Sequence, residues 1–79
     1  MTEVISIVDM NAGEVGKVVG LQGGHGMMIN LENMGIRIGA QIKKVSQQLM
    51  SGPIVISHRN TQVAIGRGMA QRIMVEVEV

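Results

Sequence analysis

The residues equipped for chemistry are few and scattered. The chain carries two imidazoles, His25 and His58, six side-chain carboxylates and no cysteine. A metal held on a helix needs a second His or carboxylate three or four positions along, so that both ligands share a face. His25 has Met28 and Ile29 at those positions, and His58 has no ligand at such a spacing. A site for a divalent metal, iron or zinc, would therefore have to assemble in space from His25, His58 and carboxylates such as Asp9 and Glu32. A helix-entry position for His25 and a position before a hairpin turn for His58 account for both more simply. Gly20, Gly23, Gly24 and Gly26 suggest a phosphate-binding loop, because backbone N–H groups at a helix start attract anions. No Gly-Lys-Ser/Thr follows them and the GxGxxG spacing is not met, so they read as turn residues. Nucleophilic catalysis has neither Cys nor Tyr to draw on, and neither His comes with a local Ser and acid. No catalytic or cofactor-binding residue is predicted, and the chain does not read as an enzyme.

The stretch that must position everything else runs from Gly13 to Gly39. Gly16 to Leu21 has the β-branched content of a strand, and Gly23-Gly24 turns it into a helix. Met27, Leu31 and Met34 recur at steps of four and three, predicting one buried helical stripe with Asn30 and Glu32 off it. Gly35 should close the helix in the left-handed conformation, with Ile36 supplying the apolar contact that accompanies such a stop. Val18 and Leu21 lie three apart, so both reach the core only if a bulge falls near Val19-Gly20.

The rest reads as sheet. Val4 to Val8 is expected as a short edge strand, followed by a turn over Asp9 to Gly13, with Glu14 at the start of the next strand. Gln41 to Gln48 is a strand with Lys43-Lys44 on a solvated face, and Leu49 to Gly52 is a loop. Pro53 precedes a strand with Ile54, Ile56 and His58 on one side. Arg59-Asn60 is a tight turn in which Asn60 supplies the left-handed conformation, and Thr61 to Gly66 returns antiparallel. A helical turn near Gly68 to Gln71 leads into a last strand whose Ile73, Val75, Val77 and Val79 face the core. Five to six short strands with one short α-helix after the first long strand predict a mainly β, small antiparallel barrel.

With 79 residues the chain has room for one core, so residues 1–79 are expected to form a single domain. The start has no basic leader and no apolar run approaches a membrane span, so a cytoplasmic protein without membrane insertion is expected. The net charge of +1, dispersed Lys and Arg, and the absence of Phe, Tyr and Trp argue against nucleic acid and against a proline-peptide groove. Eight methionines can fill gaps where rings would otherwise sit. Apolar residues left outside, Met28, Leu49 and Met50, are candidates for a partner-docking surface.

The succession GEVGKVVGLQGG, LENMGIRIGAQIKKV and SGPIVISHRNTQVAIGRGMAQRIMVEV resembles the FeoA family of small ferrous-iron transport proteins, in order from about Val8 to Val77. Ile38 stands where that family's block usually has proline. The resemblance implies an SH3-like barrel and a cytosolic accessory role beside FeoB, the membrane transporter with a GTPase domain. It carries no catalytic residues and no fixed metal ligands. The similar modules at the C-termini of iron-dependent repressors follow a DNA-binding region; none is read before this barrel, so the repressor role is not expected here. Oligomeric state is left open.

Overall fold

The computed structural model describes residues 1–23, 25–47 and 52–79. Six antiparallel strands form one curved sheet: β1 (Thr2–Ser6), β2 (Val15–Leu21), β3 (Gln41–Gln47), β4 (Ile54–His58), β5 (Thr61–Ile65) and β6 (Ile73–Glu78). Their order is β1-β6-β2-β3-β4-β5, so β1 is an edge, as expected, and β5 is the other. Helix α1 (His25–Asn33) follows β2, and the single turn α2 (Arg67–Ala70) leads into β6. This is the small antiparallel architecture expected from the strand count and the single helix after the first long strand, and the SH3-like form that the family resemblance implies.

The core is aliphatic. Ile7, Val18, Leu31, Ile36, Ile54, Ile56, Ile73 and Val75 are fully buried, and Met10 is nearly so. Met27, Met34 and Met69 pack against this cluster, which is the gap-filling part predicted for the methionines. The expected bulge is present: the β2–β6 register shifts between Val18 and Gly20, which lets Val18 and Leu21 both turn inward. On the same strand Gly16 sits against β6. A Cβ there would lie 3.1 Å from Val77 Cγ1 and 3.2 Å from Val75 Cβ, tighter than ordinary contact, so a side chain fits only if β6 gives by a few tenths of an ångström.

Helix α1 stops as its sequence requires. Gly35 has φ 86, its N–H donates to Glu32 O at 2.9 Å, and the Ile36 N–H donates to Leu31 O at 2.8 Å. This paired arrangement satisfies two carbonyls at the helix end and brings Ile36 onto Leu31, both at 0% exposure.

Four expectations are corrected. Ile7 and Val8, expected as strand, belong with Asp9 to a 3₁₀ turn, because the Ser6 Oγ accepts from the Val8 N–H at 3.1 Å and caps it. Val79 is 76% exposed and faces away from the core, since β6 ends at Glu78. At the β4–β5 hairpin the left-handed residue is Arg59, with φ 57, and not Asn60. Lys44 lies on the inner face of β3 and is fully buried, whereas Gln41, Lys43 and Val45 form the wet face.

Replacing Gly35 by alanine is expected to lower unfolding free energy by about 1–2 kcal/mol, the cost of a left-handed L-residue. Urea denaturation measures this. The added Cβ would sit 3.6 Å from the His58 ring, an ordinary contact, so the loss reports backbone conformation and not a clash.

Candidate functional site

Lys44 occupies a position that sequence reading assigned to solvent. Its Nζ donates to the carbonyls of Met10 at 2.6 Å, Val8 at 3.0 Å and Ile7 at 3.2 Å. These carbonyls close the 3₁₀ turn, where unsatisfied C=O groups accumulate and a cation is favoured. The Lys44 backbone holds the following segment as well: its carbonyl accepts from Gly13 N–H and its N–H donates to Glu14 O. Burial pushes the Lys44 ammonium below the ordinary lysine value of 10.5; the positive charge of Arg67 adds to this, while Asp9 and Glu14 pull the other way. The signal for its burial was present in the spacing, since Lys44 is two residues from Ile42 and shares its face.

The imidazole candidates are not brought into a metal site. His58 is half-buried, and its Nδ1 lies 3.0 Å from the Gln41 carbonyl. A carbonyl only accepts, so Nδ1 carries a proton and donates it to Gln41 O. His25 opens α1, but its side chain lies outside the described part of the structure. Among the described residues no three His, Cys, Asp or Glu side chains come together in a way that could hold a metal ion. Of the apolar docking candidates, Met28 is half-buried on α1, beside Ile29 at 46% exposure, while Leu49 and Met50 lie outside the described residues.

What surrounds His58 is a surface groove. Two adjoining lobes, of about 520 and 510 Å³, share Gly39, Ala40, His58 and Arg59. The first lobe adds Arg37 and Ile38, and the second adds Lys43 and Val15. No carboxylate lines either lobe. The turn from Arg37 to Ala40, closed by the Ala40 N–H donating to Arg37 O at 3.0 Å, carries one wall. The hairpin carries the other, with Arg59 in a conformation that costs roughly 1 kcal/mol for a residue with a side chain. Among the described residues the one ion pair joins the exposed Met1 amine to Glu78 at 3.8 Å, so Arg37, Lys43 and Arg59 have no carboxylate in reach. No described helix is long and apolar enough to cross a membrane.

Lys44→Met is expected to destabilise the fold by about 2–4 kcal/mol, because the Val8 and Met10 carbonyls lose the Nζ donor and the Ile7 carbonyl keeps only the Met10 N–H. The pH dependence has a definite sign. The unfolded chain binds more protons than the folded one between the lowered Lys44 value and 10.5, so wild-type stability gains with rising pH across that window. Chemical denaturation of both proteins from neutral to alkaline pH should show the Lys44→Met deficit widening. A constant deficit would mean that Lys44 titrates normally.

A FeoA domain model matches residues 5–77. A Methanocaldococcus jannaschii protein named as an Fe(2+) transport protein A is 45% identical over 56 residues, covering 71% of this chain and 66% of that relative, just under two thirds of its length. A crystal structure of an iron uptake regulatory protein (FeoA) superposes with a TM-score of 0.82 at 39% identity, covering 92% of this chain and 95% of that one. A manganese-dependent transcriptional repressor shares the fold alone: its TM-score is 0.86 at 19% identity, and all of this chain matches 44% of that one. The chain belongs to the FeoA domain family.

Proposed function

We propose that this protein is a non-enzymatic accessory domain of ferrous-iron uptake that binds and modulates the cytosolic part of a FeoB-type transporter. The observation that carries this is the FeoA match across residues 5–77, supported by a relative named for Fe(2+) transport. The architecture fits an interaction module. Its interior is filled by aliphatic side chains and Lys44, so chemistry with a partner belongs to the surface. Iron in this reading is the transporter's cargo, and the domain sits on the cytosolic side of the membrane through its partner.

Titration of the purified domain against the transporter's cytosolic segments is expected to show saturable binding, and deletion of its gene to lower ferrous-iron uptake. No binding together with unchanged uptake would reject the proposal. Anaerobic calorimetry with ferrous iron tests the competing sensor role: heat on wild type that is lost in His25→Ala or His58→Ala would make this a metal sensor instead.

A further inference from the structure

The groove beside His58 gathers Arg37, Lys43 and Arg59 with no carboxylate to neutralise them. Each lobe also carries exposed apolar surface, Ile38 at 59% in the first and Val15 at 43% in the second. We propose that this two-lobed groove is the docking site for an acidic peptide segment of a partner protein, with carboxylates on Arg37, Lys43 and Arg59 and an intervening apolar side chain against Ile38 and Val15. The inference deepens the accessory role proposed above and rests on it only for the partner's identity.

Charge complementarity selects the occupant. Guanidinium groups match carboxylates as two-pronged donors, and here two of the three cations are arginines. A nucleotide would want a broad stacking platform for its base, and this chain has no Phe, Tyr or Trp to supply one. A single small anion would leave one lobe and the exposed Ile38 and Val15 side chains unused. An extended peptide fills both lobes and alternates its side chains between charge and apolar contact.

The extent of the acidic part of the bound segment is bounded by the surface. Beyond Val15, a neighbouring depression is lined by Glu76 and Glu78 together with Lys17. Carboxylates running past Val15 would meet these two acids, so the acidic part of the ligand must stop at the groove. Arg59 gives an independent indication. It is the one described residue other than glycine with positive φ, in a turn position where glycine would be unstrained. A cation kept in spite of its backbone cost is what a binding residue looks like, and stability alone would favour glycine.

The test uses the full chain, isotopically labelled for amide NMR, and a short peptide alternating glutamate and leucine. The same peptide with lysine in place of glutamate is the control. The acidic peptide is expected to shift amides in residues 37–43 and 57–59 and to weaken with added salt. Arg37→Ala and Arg59→Gly should each lower affinity about tenfold, the worth of one charge-assisted contact. Arg72→Ala, beside α2 and away from the groove, should change nothing. Arg59→Gly should also melt no lower than wild type, which separates lost binding from lost folding. Equal binding of both peptides, shifts elsewhere, or silence at millimolar peptide would overturn the proposal. So would inorganic phosphate producing the same shifts and displacing the peptide at equal concentration. With the transporter's cytosolic segments, loss of binding in Arg37→Glu/Arg59→Gly supports the groove, and undiminished binding overturns it while leaving the accessory role intact. If wild type ignores the transporter but the acidic peptide still maps to the groove, the accessory role falls and the groove stands.

Discussion

The first half of the barrel depends on one buried ammonium. Strands β1 and β2 are not neighbours; β6 lies between them, so residues 7–14 must cross the end of β6 to connect them. A crossing of this kind exposes backbone groups with no sheet partner, and each would be costly to leave unpaired inside the domain. Lys44, on the central strand β3, deals with both ends of the crossing. Its side chain takes the carbonyls of Ile7, Val8 and Met10, and its backbone pairs with Gly13 and Glu14. The desolvation of a charge is a real cost, and it is set against the Val8 and Met10 carbonyls, which would lose the Nζ donor, while the Ile7 carbonyl would keep the Met10 N–H. With those groups satisfied, Ile7 and Met10 can drop into the core and seal that end of the barrel.

The fold was legible where the determining physics is local. Gly35 and Ile36 announce a helix stop because the left-handed closure and its apolar contact fall within six residues. The β2 bulge was legible because Val18 and Leu21 cannot both face inward on a regular strand. Lys44 was misassigned for the opposite reason. Its spacing from Ile42 placed it inside, but its charge argued for water, and the carbonyls that reverse that preference come from residues more than 30 positions away. Nothing local to β3 reveals them. Val79 was assigned to the core by extending an alternation one step beyond the last paired residue of β6.

The site was less legible than the fold. His25, His58 and the glycines attracted notice because their types are familiar from metal and phosphate chemistry. The groove instead gathers residues from the 37–39 turn, β3 and the β4–β5 hairpin, which meet only when the sheet curves. His58 does belong to it, as a positioning element: its Nδ1 proton is committed to the Gln41 carbonyl, tying the end of β4 to the start of β3. At the hairpin the expectation that Asn60 would take positive φ was chemically sound, since asparagine tolerates it better than arginine. The chain nonetheless places Arg59 there, against the local backbone preference.

The absence of aromatic residues links the core to the mode of recognition. Barrels of this architecture that bind through stacked rings offer flat, apolar platforms on the surface. Here the apolar volume inside is supplied by isoleucine, valine and methionine, and no rings remain to face outward. A domain this small cannot expose a broad aliphatic patch without risking association with itself, so selectivity must be carried by charge. Segregation makes that possible despite a net charge of only +1. Glu76 and Glu78 on β6 lie to one side of Val15, while Lys43, Arg37 and Arg59 lie to the other. The net charge hides this polarity because it sums over faces that the sheet holds apart, and a partner approaching one face meets the local field first.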